Sequence, residues 1–441
     1  MVSRPPADDR RLSWLVSLMP TATATSRRIA PIVAGCLISG LVAAIVLFGF
    51  LRRPEEHAVT GTVLVAFAFG WALLAVLSVR LTDQPQWWAA APAAFMALSG
   101  AGLLIFAPSA GVLGALGWVW PPLLIALVAW MTVQSRRHLR SRAGRLLLYP
   151  VFAFLALAAL GGGYETVRGS IERGAYSMPG RLVDVGEHRL HIHCAGSGSP
   201  AVVLETGLGG VSSAMSEWIA PRVARTTKVC VYDRAGRGFS EPASGPQDGV
   251  DVATDLHTLL GRAQVKGPYV LAGHSLGGPY VLSFAHRYPD QVAGVVLLDS
   301  MHPNPSAAPS GGAGPFALLP SLSRLGIGRL VVDPKDGSPP AQARSLRDEV
   351  AETSTALTQA AELETLDDRP LAVVTAVSGA QAGWAAQQDD LATLSTDSVH
   401  RVMPRATHQS LLDDQGDAAE SSDAIRDVVE SVRTARPLAR P

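Results

Sequence analysis

The pattern of apolar and polar positions changes character once along the chain. Five stretches contain no Asp, Glu, Lys or Arg: 29–51, 59–79, 88–107, 111–133 and 146–163. Each has about the 20 residues that a helix needs to cross a hydrocarbon core. None has the polar stripe at helical period that a helix on a soluble core carries. The pattern therefore predicts a bundle of about five transmembrane helices over 29–163. Pro92 falls in the third run, and Pro121 with Pro122 should kink the fourth.

Beyond residue 181 the pattern becomes short β-rich runs separated by glycine-containing turns and longer amphipathic stretches. It predicts strands at 189–194, 201–205, 228–232, 269–272, 292–298, 371–377 and 398–403. Helices are expected at 213–224, 250–263, 279–288, 341–366 and 418–435. Strands alternating with helices make this half α/β, a mostly parallel sheet covered by helices. The expected organisation is a cytoplasmic segment 1–28, the membrane bundle 29–163, a linker 164–180, a globular domain 181–435 and a tail 436–441.

Composition adds direction. The chain of 441 residues is 48% hydrophobic and 17% charged, with formal net charge zero, so no global field favours nucleic acid. Its only lysines are Lys228, Lys266 and Lys335, an arginine bias that suits a GC-rich bacterial genome and hence a bacterial cell membrane. With five spans and an inside N-terminus, the inside segments hold eleven arginines against two outside, Arg52 and Arg53. That bias places everything after residue 163 outside the cytoplasm, and one miscounted span would reverse it. Arg10-Arg11 before Ser13-Trp14 faintly resembles a twin-arginine export signal, but Pro20 and a Thr/Ser-rich stretch separate it from the apolar run, which favours a plain anchor.

The chemistry centres on Gly273-His274-Ser275-Leu276-Gly277, which follows the apolar strand Tyr-Val-Leu-Ala and precedes a helical segment. This is a G-x-S-x-G nucleophile elbow in the strand–turn–helix setting it requires. The serine sits on a strained turn, and glycine two positions to either side lets strand and helix cross closely.

At this motif the sequence resembles the α/β-hydrolase family of serine hydrolases, over about residues 181–435. Two further segments match in order. Thr206-Gly207-Leu208-Gly209-Gly210, directly after a Val-Val-Leu-Glu strand, stands where the family carries its oxyanion loop, with Thr206 in place of the usual His. The resemblance implies oxyanion donors at the backbone N–H groups of Leu208 and Leu276. The segment from Tyr232 to Ser240 resembles the family's turn after the fourth strand. There Asp233 and Arg234 read as a charged pair that orders a loop near the site mouth. The family order Ser, acid, His implies His408 as general base, since it follows the last strand and precedes the terminal helix. His274 adjoins the nucleophile with its side chain turned away, and His400 lies within a strand.

The acid departs from the pattern. The loop after the seventh strand, Ser378 to Trp384, contains no carboxylate. Asp299, one strand after the nucleophile strand, is the favoured acid, with Asp389 and Asp390 as alternatives. The family's sheet order makes the second and fourth strands neighbours, which allows a disulfide between Cys194 and Cys230 that would persist only outside the cytosol; two buried free thiols are the other reading. His188, His191 and His193 alternate on one strand, yet no Cys or carboxylate cluster accompanies them, so no metal and no cofactor is expected. An insertion at 300–369 occupies the family's cap position. Its apolar Phe316, Ala317, Leu318, Leu319 and Leu322 would line an acyl pocket, touch lipid or pack on the main domain.

The expectation is a membrane-anchored esterase or lipase-like enzyme acting through an acyl-enzyme on Ser275, with a small-molecule or lipid ester as substrate and the bilayer as its surroundings. A serine nucleophile disfavours dehalogenase and epoxide-hydrolase chemistry. The alternative is a membrane receptor or scaffold whose hydrolase-like domain binds a ligand without turnover. A transporter fused to an enzyme has little support, because no span carries an ionisable residue.

Overall fold

The computed structural model describes residues 29–51, 55–172, 175–304 and 313–439. The expectations for 1–28, for Arg10-Arg11 and for Arg52-Arg53 lie outside them. The chain divides into two compact units, Met1–Tyr164 and Glu165–Pro441.

In the first unit, helices α1 (Ile29–Gly49), α2 (Glu56–Leu81) and α3 (Ala90–Phe106) follow one another, α3 being entered through the 3-10 turn Trp87–Ala89. Pro92 falls in the first turn of α3, where no intrahelical N–H is lost. The fourth apolar run is broken. α4 (Ala110–Leu116) and α5 (Trp120–His138) meet at 45°, with Pro121 in the first turn of α5. The prolines thus open a new helix rather than kink an existing one. α6 (Arg142–Glu172) is a single helix of 31 residues. Among the described residues four helices are long and apolar enough to span a membrane, or up to five if the bent pair makes one crossing.

Glycines set the spacing of this unit's helices. A Cβ on Gly100 would lie 2.7 Å from the Gly61 carbonyl oxygen, and one on Gly70 would lie 2.8 Å from that of Cys36. Such close backbone approach is how helices associate where lipid removes the hydrophobic drive. Trp71, Trp88 and Phe152 fill the interior, while Ile45, Leu98, Phe106, Phe154 and Leu157 face outward. An apolar exterior of this kind suits hydrocarbon.

The segment expected as a linker is helical through Glu172, so the last two turns of α6 belong to the second unit. Arg168 pairs with Glu172 at i,i+4 and sustains them.

The second unit is built on one eight-stranded sheet. Its strands are β1 (Arg181–Asp184), β2 (Arg189–Ala195), β3 (Ala201–Glu205), β4 (Val229–Tyr232), β5 (Tyr269–His274), β6 (Val292–Leu298), β7 (Leu371–Ser378) and β8 (Ser398–Thr407), in spatial order β1-β2-β4-β3-β5-β6-β7-β8. β2 is antiparallel to β1 and β4, and all other pairs are parallel. The helices are α7 (Ser213–Ser216), α8 (Ile219–Val223), α9 (Gly249–Arg262), α10 (Gly277–Arg287), α11 (Leu319–Arg324), α12 (Pro339–Ala360), α13 (Trp384–Leu391), α14 (Ser410–Asp413) and α15 (Gln415–Thr434).

Both sheet faces are covered, which is why β3 and β5 are buried along their whole length rather than alternating. Val203, Leu271 and Leu297 pack under α9 and α10 through Leu256, Val281 and Phe284. Val202, Val270 and Val296 pack on the other face against Ile219 of α8 and Ile425 and Val428 of α15. α9 starts where the sequence allows it. Asp248 caps the N–H groups of Val250 and Asp251, Asp251 bonds back to Asp248 N, and Val252, Leu256, Leu259 and Leu260 form its buried stripe. The single helix expected at 213–224 is instead the two short helices α7 and α8.

Candidate active site

Ser275 follows β5 and precedes α10 with φ +55°. A non-glycine residue in the left-handed region is strained, and surrounding structure must hold it there. That structure is the glycine frame. A Cβ on Gly273 would come 2.4 Å from the Gly277 carbonyl oxygen, and one on Gly277 would come 2.5 Å from the Glu205 carbonyl oxygen at the end of β3. Ser275 N donates to Leu298 O at 3.2 Å, while its carbonyl accepts from Gly278 N and Met301 N. The turn is thereby fixed on both sides at the carboxyl end of the sheet.

Asp299 leaves β6 in the same left-handed region, φ +44°, and is buried. One carboxylate oxygen accepts from Ala376 N at 3.1 Å and from Trp384 Nε1 at 2.7 Å. The other accepts from His408 Nδ1 at 2.6 Å. His408 stands just past β8, with its side chain 45% exposed. With Nδ1 committed to a buried carboxylate, Nε2 is the nitrogen left for chemistry. His274 Nε2 donates to the backbone oxygen of His408 at 3.0 Å, and the two rings lie 4.4 Å apart. Burial pushes His274 down to about 4, with a further push from neighbouring His408. It therefore stays neutral beside the second histidine.

Asp389 and Asp390 do not reach this histidine pair. Asp389 binds His400 Nδ1 at 2.9 Å, and Asp390 binds His302 Nε2 at 2.7 Å. His400 also hydrogen-bonds with Thr375 Oγ1. Trp384 is the residue that sequence reasoning passed over. It closes the loop after β7, where the family's usual acid is missing, and supplies a donor to the acid on β6.

The loop 206–210 lies over the nucleophile. A Cβ on Gly207 would come 2.8 Å from Ser275 Cβ. Leu276 is buried and Leu208 is partly exposed. A buried ionic cluster ties down this loop. Arg234 binds Glu205, donates to the carbonyls of Thr206 and Gly207 at 2.8 Å each, and reaches Glu349 of α12 at 2.9 Å. Arg237 binds both oxygens of the same Glu349, which also accepts from Gly209 N at 2.7 Å. Burial would raise the Glu349 carboxyl, yet Arg234, Arg237 and the Gly209 N–H outweigh it and hold it at about 2. Glu205, which shares a single arginine, is instead pushed up by burial.

Asp233 and Arg234 thus order loops, but not as a pair with each other. Asp233 accepts from Ser212 N, Phe239 N and His191 Nδ1. His191 also donates to Pro179 O, so both its ring nitrogens are donors. Burial opposes its charge, and Asp233 overcomes that, raising its pKa. His188 binds Asp255 at 2.9 Å. His188 and His191 therefore serve separate carboxylates instead of converging. Among the described residues no group of three or more His, Cys, Asp or Glu side chains is placed to hold a metal. On the same strand, Cys194 stands opposite Cys230 of β4 in the register, and the two are joined as a disulfide.

Residues 200–321 match the family model described as the alpha/beta hydrolase fold. The elbow, the sheet order and this match place the second unit in the α/β-hydrolase fold family, joined here to an N-terminal set of apolar helices. The chain is 34% identical over 158 residues to an uncharacterised protein of Schizosaccharomyces pombe, covering 29% of each. It is 32% identical over 119 residues to the 2-(acetamidomethylene)succinate hydrolase of Mesorhizobium japonicum, covering 27% of this chain and 42% of that one. The matched stretches therefore span less than half the length of these curated relatives. Among solved structures, the enol-lactonase of Burkholderia xenovorans aligns with 57% of this chain and all of its own, at 19% identity and TM-score 0.41.

Proposed function

We propose that this chain is a membrane-anchored serine hydrolase that cleaves carboxylic esters through an acyl-enzyme on Ser275. The observation that carries the reading is the His408–Asp299 hydrogen bond at 2.6 Å, with the His408 ring 4.4 Å from that of His274, the residue before a serine at φ +55°.

In this reading His408 Nε2 takes the Ser275 proton as Oγ bonds to the ester carbonyl carbon. Asp299 fixes the His408 tautomer and stabilises the imidazolium. The N–H groups of Leu208 and Leu276 hold the oxyanion. Collapse of the tetrahedral adduct breaks the bond to the alcohol oxygen, which leaves with the proton from His408. Water then repeats the sequence, giving the acid and free Ser275. No step asks for a metal or cofactor.

The apolar helices would anchor the enzyme, and the arginine bias with the Cys194–Cys230 disulfide supports an extracytoplasmic domain. Lipophilic or envelope-derived esters then become the substrates of first interest. The direct test is hydrolysis of a chromogenic ester series from acetyl to long acyl by the detergent-solubilised full chain. Turnover that Ser275→Ala abolishes is the expected result. A folded wild type that binds esters and turns over none of them would instead indicate a ligand-binding receptor.

A further inference from the structure

Between Glu56 and Glu165 the chain carries six arginines, no lysine and a single carboxylate, Asp83. Arg80 is in the last turn of α2 and Arg136 and Arg137 are in that of α5. Arg140 lies in the turn from α5 to α6, and Arg142 and Arg145 open α6. All but the half-buried Arg145 are exposed, and among the described residues none of the six guanidinium groups is paired with a carboxylate.

A signal that only orients spans during insertion needs charge and no fixed geometry. Here the geometry is built. Gln84 and Gln86, in the turn from α2 to α3, are buried. Gln84 Oε1 accepts from Arg140 N at 2.8 Å and from Ser141 N at 3.2 Å, while Gln86 Nε2 donates to His138 O at 3.1 Å. Gln86 is held in turn: its N–H donates to Ser78 Oγ of α2 at 2.9 Å, and its Oε1 accepts from Trp88 Nε1 at 2.8 Å. Leu139, 1% exposed, fills the α5–α6 turn against Gly144, where a Cβ would come 3.2 Å from its methyl groups. Buried amides are costly unless bonded. These two are bonded so that the arginine-bearing turn is fixed against the end of α2.

The same helices set the level of this platform in a bilayer. Arg80 directly follows the apolar run 59–79, Arg145 directly precedes 146–163, and Arg136 comes three residues after 133. Trp87, 57% exposed, meets His138 edge-on at 5.6 Å, an amphipathic ring of the kind that collects at headgroup level. Three helices thus change from apolar to arginine at one clamped end, where phospholipid phosphates lie. Guanidinium groups bind phosphate oxygens in bidentate fashion, and a cluster of arginines without carboxylate partners just beyond apolar spans complements an anionic headgroup.

We propose that this platform is a binding site for anionic phospholipid, whose phosphodiester is taken by Arg140 and Arg142 on the clamped turn together with Arg80. The proposal rests on the anchor reading, that these helices cross a bilayer, and is independent of turnover at Ser275.

The test uses the full chain reconstituted in phosphatidylcholine bilayers with a trace of spin-labelled phosphatidylglycerol or spin-labelled phosphatidylcholine. Electron paramagnetic resonance separates lipid held at the protein surface from bulk lipid. Wild type should hold phosphatidylglycerol at least about threefold more strongly than phosphatidylcholine. Arg140→Gln combined with Arg142→Gln should remove the preference. Gln84→Ala keeps every charge while releasing the turn, and should lose most of it. Equal association of both lipids with wild type, or a preference that survives the double arginine variant, would overturn the proposal. A full preference in Gln84→Ala would overturn the clamped site in favour of diffuse charge, and a preference abolished by soluble glycerol phosphate would overturn the assignment to lipid. Absence of any surface-held lipid would overturn the anchor reading and the proposal with it.

Discussion

The N–H of Gly209 donates to Oε2 of Glu349 at 2.7 Å, joining residues 140 apart in sequence. One is in the loop over the nucleophile and the other on α12, within the 300–369 insertion, so that insertion helps to hold the loop in place. Glu349→Ala leaves Arg234 and Arg237 buried with one carboxylate fewer. It should destabilise the unit by about 3–5 kcal/mol, read as a fall in thermal midpoint in detergent. Glu349→Gln keeps an acceptor for Gly209 and should cost less. Because the folded carboxyl is held at about 2 against an ordinary 4.5, its contribution is complete above about pH 4.5 and is lost as pH falls toward 2.

Trp384 and Asp299 are predicted to separate positioning from charge. Trp384→Phe removes the 2.7 Å donor to Asp299 while keeping an aromatic ring in place. It should lower kcat by about tenfold, on the scale of one lost hydrogen bond of about 1.5 kcal/mol, with little change in KM. Asp299→Asn presents the wrong partner to His408 Nδ1 and should cost about 10⁴-fold in kcat. Steady-state kinetics on a chromogenic ester measures both, and equal losses would argue against the assigned roles.

The glycine frame of the elbow gives a folding prediction. Gly277→Ala drives a Cβ to 2.5 Å from the Glu205 carbonyl, and backbone cannot yield as a side-chain tip can. A loss of about 1–3 kcal/mol is expected. Gly261→Ala on α9, where a Cβ meets nothing within 4 Å, should be neutral or stabilising. Thermal midpoints of the two variants compare them directly.

Topology is open to a thiol experiment. Cys194 is exposed and paired with Cys230. On intact cells, an impermeant reductant followed by an impermeant maleimide should modify wild type at Cys194 and leave Cys194→Ser unmodified there. Labelling that appears only after lysis would place the domain in the cytoplasm.

Much of this was legible in the sequence because it is local. The elbow, the strand that feeds it and the apolar runs are continuous stretches whose period declares them. β1, with four residues and one buried side chain, carries too little pattern to be seen. Asp299 could be favoured over Asp389 and Asp390, but only the fold places the latter two against His400 and His302. Trp384 left one faint signal, a lone aromatic donor in a loop lacking its usual carboxylate. Glu349 left none, since an acidic residue in a polar helix looks solvated until the fold sets two arginines against it. The extension of α6 to Glu172 depends in part on Arg329, more than 150 residues away.

In the proposed reaction Ser275 is an activated nucleophile driven by His408. A fluorophosphonate probe reacts with such a serine and with few others. Mass spectrometry of the labelled full chain should find the adduct on Ser275 in wild type, none in Ser275→Ala, and a labelling rate lowered at least about a hundredfold in His408→Ala. A folded wild type that takes up no label, or a wild type labelled elsewhere at an undiminished rate in both variants, would contradict the account.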